Sequence, residues 1–355
     1  MIASMQPVLS VSHVVVSARL DRPVGNAHAQ WRSRRSVLVT LEDEGGRKGR
    51  GEAAPLPGLS RETIDDVLAA LATLGSSFEP TEIDVRALPP SLRFAIESAL
   101  LDLRSADRPA FVALLGDEAY VARVPEQLEL QVLLDDLESA EARARDAHGR
   151  GARTFKVKIG REGRASDEAS LLEAVRALGR DVVIRADANG TLAAVDVIAP
   201  ALARARVEYV EDPGPIDGPH WVGVPMALDA SVAADPHDAI ARARSLGAPF
   251  LVLKPTLLGG LEDTLAIAAR ARARGLKVVL SHTLEGPVGL AAIAHLALAA
   301  SASSHRALWG AQGLAPWTGC ERFVVEGGDE EPLALPYYLG ACRVLRPSSA
   351  GLGLV

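Results

Sequence analysis

Only five of the 38 basic residues in this 355-residue chain are lysines: Lys48, Lys156, Lys158, Lys254 and Lys277. The other 33 are arginines, so arginine serves wherever a generic positive charge is wanted. Lysine should persist where its chemistry differs, because a compact ammonium can lose enough pKa to exchange protons and a guanidinium cannot. Lys156, Lys158 and Lys254 stand inside the apolar, strand-like runs TFKVKIG and PFLVLKPT, where solvated charges do not belong. Asp187, Glu211 and Asp229 each follow an apolar run of the same kind. Three carboxylates brought together without a cation would repel one another and resist ionisation. A hard cation with oxygen ligands resolves this; Mg²⁺ suits a few carboxylates plus water and substrate oxygens, with Mn²⁺ as the second candidate. A lysine beside a dication and another lysine has its pKa pushed down, towards values useful to a general base. The chemistry implied is metal-dependent acid–base catalysis.

The elements that must position these groups follow from a strand–helix rhythm that starts near residue 128. LELQVLL (128–134), TFKVKIG (154–160), VVIRADANG (182–190) and VEYVEDPGP (207–215) read as strands. PMALDAS (225–231), PFLVLKPT (249–256), KVVLSHT (277–283) and a short ALWG (307–310) continue the series. Strands alternating with helices predict a parallel sheet, and seven or eight such units predict closure into a barrel. Seventeen residues, including Pro213, Pro215, Pro219 and Pro225, separate Glu211 from Asp229, which leaves room for a loop or a stub rather than a full helix.

In a parallel barrel the catalytic groups sit at the C-terminal strand ends. Here those ends carry Lys156 and Lys158, then Asp187 with Asn189, Glu211, Asp229, Lys254, and Ser281 with His282. Period-2 alternation puts Lys156 and Lys158 on one face, and likewise Arg185, Asp187 and, if its strand extends that far, Asn189. A lone Asp at a strand end is ordinarily a cap or turn residue, and a lone strand lysine can snorkel. Ordered recurrence on consecutive strands, against a lysine-poor background, favours a site. Arg185 could orient a carboxylate or bind substrate. His282 could be a base or a hydrogen-bond partner, while His295 and His305 have no supporting neighbours and read as structural.

The first 120 residues read as an α+β segment. Stretches 8–19 and 36–43 look like antiparallel strands joined by a polar, Gly-rich turn at 43–51, with helices near 60–75 and 91–104. Residues 311–355, with Gly, Pro and short apolar runs, could pack back on it. A net charge of -7 offers no basic excess for nucleic acid. No uninterrupted apolar stretch reaches the ~18 residues of a membrane helix. The N-terminus lacks the charged start of a signal peptide. Cys320 and Cys342 lack metal-ligand spacing and are too few for a disulfide framework. The expectation is a cytoplasmic enzyme without a nucleic-acid or membrane partner, of oligomeric state the sequence does not set.

This pattern resembles the enolase superfamily, in particular its muconate-lactonising subgroup. The likeness rests on the KxK at Lys156–Lys158, then Asp187, Glu211, Asp229 and Lys254, with GRGEAAPLPGLSRET (49–63) and FAIESALLDL (94–103) similar to that family's capping loop and capping helix. It implies a (β/α)7β TIM-like barrel at 123–310 under an α+β capping domain made of residues 1–122 and the tail 311–355. RADAN (185–189) and LSHTLEGPVGLAAIAHLA (280–297), which includes Glu285, look most like the o-succinylbenzoate synthase family. That likeness implies a Mg²⁺-dependent carbon–oxygen lyase of menaquinone biosynthesis, with a small-molecule carboxylate as its substrate. Asp187, Glu211 and Asp229 would be metal ligands, Lys158 the acid/base, Lys254 the lysine of the opposite face and Lys156 an electrostatic neighbour. Arg185, Asn189, Ser281, His282 and Glu285 would bind substrate or support those that do. An N-acylamino acid racemase or a muconate-type cycloisomerase would use the same residues, and a barrel that only binds is the alternative of a different class. The sequence departs from relatives at Ala230, where glutamate is common, and at His282, where a small polar residue is expected.

Overall fold

A computed structural model describes residues 8–25, 29–105, 107–192, 195–214, 223–236, 238–302, 308–316, 324–326, 338–339 and 342–353. His305 and Cys320 lie outside these residues; Cys342 is buried among them.

The N-terminal layer is a meander of strands β1 (Leu9–Gly25), β2 (Gln30–Glu42) and β3 (Lys48–Ala53) covered by helix α1 (Ile64–Leu74). A two-residue strand β4 (Ser77–Phe78) pairs with β1, and helices α2 (Pro90–Arg104) and α3 (Ala110–Leu115) follow. The expected turn at 43–51 is shorter than its glycines suggest, since residues from Lys48 onward form a third strand. Glycine is usually poor in strands; here α2 lies so close that a Cβ on Gly51 would stand 1.9 Å from the Ala95 carbonyl oxygen.

The expected first barrel strand is two strands. β5 (Gln127–Glu129) turns outward to pair antiparallel with a C-terminal strand, whereas β6 (Gln131–Leu134) enters the barrel. Then come α4 (Leu137–Gly149), β7 (Thr154–Lys158), α5 (Ala165–Ala177), β8 (Val183–Asp187), α6 (Val195–Arg204), β9 (Val210–Glu211) and β10 (Met226–Leu228). The chain continues through α7 (Ala230–Ala234), α8 (Ala239–Ser245), β11 (Phe250–Leu253), α9 (Pro255–Leu258), α10 (Leu261–Ala273), β12 (Lys277–Leu280) and α11 (Pro287–Ala302). Between β9 and β10 the described residues hold no helix.

Strands β6 to β12 form one parallel sheet in chain order. Its two edges meet through residues 308–313 in place of a full eighth strand: Leu308 and Gly313 bridge Val278 and Ser281, while Gln312 bridges Leu130. The result is an α/β barrel of the TIM type. Alternation along the strands sorts the side chains. Phe155, Val157, Ile184, Ala186 and Val210 face the helices, as do Leu251, Leu253, Val278 and Leu280 further round. Tyr209, Ala227, Phe250, Val252 and Val279 fill the barrel's own interior.

The C-terminal residues return to both halves. β13 (Val324–Val325) pairs with β1, and β15 (Arg343–Leu345), beside β14 (Tyr338–Leu339), pairs with β5. Further on, Leu352 donates its amide to Asp102 at 2.7 Å, and Asp102 also accepts from Arg50 of β3 at 2.9 Å.

Candidate active site

A cavity of about 740 Å³ opens at the C-terminal ends of the barrel strands. Lys156, Lys158, Asp187, Asp229 and Lys254 line it from below, with Ser281 and His282 on one side. Arg22, Trp31, Leu56 and Leu59 close it from the N-terminal layer.

Strand register explains the convergence. Lys158, Asp187 and Glu211 are successive partners across β7, β8 and β9, at one level and facing inward. Ala227 of β10 is the partner of Glu211, so Asp229 keeps the inward parity two residues higher. Lys254 follows β11 by the same alternation.

The ammonium of Lys156 contacts Asp187 Oδ2 at 2.8 Å and also bonds Glu211 Oε2. Lys158 reaches Asp187 Oδ2 at 2.9 Å and the Asn189 side-chain oxygen at 3.2 Å, while Asn189 donates its amide to the other Asp187 oxygen. Lys254 lies 2.6 Å from Asp229 Oδ2. As they stand, no three Asp, Glu, His or Cys side chains among the described residues form a closed metal-ligand set, because lysines intervene.

Burial raises the Glu211 carboxyl to about 7; Lys156 opposes that shift, and the charges of Asp187 and Asp229 add to it. Asp187 moves the other way: burial would raise it, but Lys156 and Lys158 hold it well below the carboxylate range. Burial and a neighbouring carboxylate also compete at Lys254. Burial lowers its pKa, yet the adjacent Asp229 outweighs burial and leaves it raised. Lys156 is likewise raised, with burial overcome by Asp187 and Glu211.

Other expected residues are placed differently. Arg185 does not line the cavity. It sits in the barrel floor, donating to Gln131 at 2.8 Å, the Ala311 carbonyl at 2.6 Å and Glu208 at 2.8 Å, against the Tyr209 ring. Two residues below Asp187 on the same strand, it points inward one layer beneath the groups that line the cavity. Of the two readings of His282, the geometry favours the hydrogen-bond partner. Its Nδ1 accepts from the Leu284 amide at 3.0 Å, leaving Nε2 to donate to the Ala315 carbonyl at 3.1 Å. Burial keeps its pKa below the ordinary value, against the pull of Glu285. Glu285 lies fully buried behind the cavity wall, accepting from Thr283 Oγ1 at 2.8 Å and from Thr256 Oγ1. Ser281 lines the cavity and donates to the Gly313 carbonyl at 3.3 Å. His295 accepts from the Phe111 amide at 3.0 Å near the start of α3.

Three acids escaped the sequence reading. Asp212, next to Glu211, turns out of the strand at φ 39° and accepts from the amides of Asp229 and Ala230 at 3.2 and 2.9 Å. Burial, then the charge of Asp229, raises it to about 6. Asp135, at the end of β6, binds Arg22 at 2.7 Å and Arg143 at 3.1 Å, joining the N-terminal layer to the first barrel loop. Glu52 of β3 accepts the amides of Gly286 and Gly289 at 2.8 Å each, at the start of α11. The signal for Asp212 and Asp135 was an acid at a strand end, the pattern used for the others; Glu52 gave none.

Residues 138–353 match the family described as Enolase C-terminal domain-like, and residues 19–103 match MenC, N-terminal domain. The chain is 30% identical to the o-succinylbenzoate synthase of Thermosynechococcus vestitus over 78% of this chain and 85% of the relative. It is 28% identical to muconate cycloisomerase 1 of Rhodococcus opacus over 82% of this chain and 84% of that protein. Its fold is shared with a dipeptide epimerase from Enterococcus faecalis V583, solved with Mg and the dipeptide L-Leu-L-Tyr, at a TM-score of 0.80 and 23% identity over 98% and 99% of the two chains. The matched family spans well over half of this sequence, and the chain belongs to the enolase superfamily as an enzyme of that group.

Proposed function

We propose that the chain is an o-succinylbenzoate synthase, dehydrating 2-succinyl-6-hydroxy-2,4-cyclohexadiene-1-carboxylate to the aromatic o-succinylbenzoate. The observation that carries the chemistry is the pair Lys158 and Lys254, which line one cavity and are held by carboxylates at the two ends of the row Asp187, Glu211, Asp229. The likeness to o-succinylbenzoate synthases supports the choice of substrate.

The residues fit a divalent cation. Among the described residues, the buried Glu211 Oε1 and Asp229 Oδ1 have no hydrogen-bond partner, and such orphaned acceptors are costly unless something positive meets them. Asp187, Glu211 and Asp229 would hold the ion, and an all-oxygen set favours Mg²⁺. When bound, the cation would attract the substrate carboxylate and stabilise the charge that develops on it.

Within the protein's own machinery, Lys158 in its neutral form takes the proton next to that carboxylate. As an ammonium it then returns the proton to the hydroxyl leaving from the same face. Lys254 remains cationic on the opposite face and balances the negative charge in between. Lys156, buried between Asp187 and Glu211, favours the ionised form of both carboxylates, fully for Asp187 and only in part for Glu211, and takes no part in proton transfer.

The lysine pair also suits racemisation of an N-acylamino acid, in which each lysine exchanges a proton on its own face. The deciding assay follows absorbance of the cyclohexadiene acid with purified protein and Mg²⁺. Rapid conversion that EDTA stops supports the synthase. If the acid is inert while N-acylamino acids exchange their α-proton, the substrate assignment fails and the lysine site remains.

A further inference from the structure

Arg34, in β2, is 2% exposed and uses all of its guanidinium nitrogens on backbone carbonyls. Nη1 donates to Pro55 at 3.0 Å and Nη2 to Ala54 at 2.8 Å; Nε donates to Leu284 at 2.9 Å. These carbonyls belong to two stretches that wall the cavity from opposite halves of the molecule. Residues 54–55 lead into Leu56, Gly58 and Leu59 of the N-terminal layer, and Leu284 lies in the loop between β12 and α11 that carries Ser281 and His282. Two buried carboxylates, Glu52 and Glu285, supply the attraction that keeps a charge in so enclosed a place.

Leu284 has φ 60°. There the Cβ of an L-residue crowds the following carbonyl oxygen, and such strain persists only where the surroundings over-determine it. At Leu284 both sides of the residue are held: its N–H by His282 Nδ1 at 3.0 Å and its C=O by Arg34.

We infer that Arg34 is a positioning residue: it holds the left-handed turn at Leu284 and thereby makes the cavity wall bearing Ser281 and His282 depend on docking of the N-terminal layer. Arg34 does not itself line the cavity. The inference rests on the reading of that cavity as the substrate site, but its geometry can be tested without substrate.

The test is a double-mutant cycle of Arg34→Lys and Leu284→Gly. Lysine keeps the charge between Glu52 and Glu285 but has no planar fork for three carbonyls. Glycine adopts φ 60° without steric cost, so it removes the strain that the clamp must hold. Two readouts are taken: hydrogen exchange of the backbone over residues 280–287, and kcat with KM for dehydration or α-proton exchange. Arg34→Lys should raise exchange at 282–286 and lower kcat/KM about tenfold, while α1 stays unchanged. In the Leu284→Gly background the same substitution should cost less than about threefold, because the coupled strain is gone. Equal losses in both backgrounds, or unchanged exchange at 282–286, would overturn the inference. Should Arg34→Lys not fold, the unmodified protein decides: the amides of Thr283, Leu284 and Gly286 must exchange at least about a hundredfold more slowly than in an open chain, and fast exchange refutes the clamp. A protein inactive on every substrate tried but with the expected exchange pattern would keep the clamp and reject the proposed reaction.

Discussion

Lys254 and Asp229 meet at 2.6 Å across the ends of adjacent strands, while Lys158 meets Asp187 at 2.9 Å on the far side of Glu211. The two lysines are thus held by different carboxylates and face one cavity. Their roles separate on substitution by arginine, which keeps the charge but cannot give up a proton. Lys158→Arg should lower turnover by about 10²–10⁴-fold, the usual weight of a general base. Lys254→Arg should retain part of the dehydration but abolish racemisation. NMR of α-proton exchange in D₂O, alongside the absorbance assay, reads both. A Lys158→Arg enzyme near wild-type rate would contradict the assignment.

The orphaned oxygens of Glu211 and Asp229 make a thermodynamic prediction. A ligand that binds only the folded state stabilises it by about 2.7 kcal/mol at a hundredfold excess over Kd. Mg²⁺ should therefore raise the melting temperature of EDTA-treated protein, with no substrate present. Glu211→Gln and Asp229→Asn should lose most of that gain. A Glu211→Gln protein that still responds to Mg²⁺ as the wild type does would remove Glu211 from the ligand set.

Asp212 predicts a pH dependence whose sign follows from its raised pKa. The unfolded chain releases this proton near the ordinary 3.8, the folded protein only at about 6. Between those values the folded state binds more protons, so stability falls as pH rises through the window. His282, held below its ordinary value, acts in the opposite sense, so the informative quantity is the difference between wild type and Asp212→Asn. In EDTA, urea unfolding between about pH 4 and about pH 7.5 should show Asp212→Asn gaining on the wild type as pH rises. A constant gap would mean that Asp212 titrates normally.

The lysines, the three carboxylates and the barrel were legible because each depends on local pattern alone. Alternation along a strand sends Lys158 and Asp187 to one face, and strand order brings successive ends together. Arg185 shows the limit of that reasoning: parity gave its inward direction but not its depth, and depth puts it in the floor with Gln131 and Glu208. His282 needed the position of the Leu284 amide, and Glu52 needed the docking of β3 on α11, neither of which is local. The closing segment at 308–313 reads poorly for a related reason, since isolated bridges and the side chain of Gln312, which accepts from the Leu280 amide at 2.8 Å, replace a run of strand residues.

At β3, glycines that look like a turn form a strand packed on α2. A Cβ on Gly51 would stand 1.9 Å from the Ala95 oxygen, and one on Gly49 would stand 2.1 Å from the Ala99 oxygen. Both obstacles are helix backbone, so α2 must move rather than a side chain rotate. Overpacking of this kind costs about 1–3 kcal/mol or more. Gly51→Ala should therefore lower the urea midpoint strongly. It should also disturb the cavity, because the next residue is Glu52, which grips the start of α11. Gly149→Ala is the control: it ends α4, and among the described residues nothing lies within 4 Å of the added Cβ. That change should be neutral or stabilise by up to about 1 kcal/mol, since alanine outranks glycine in a helix. Equal midpoints for the two variants would show that β3 does not pack on α2 as closely as the strand register and these contacts require.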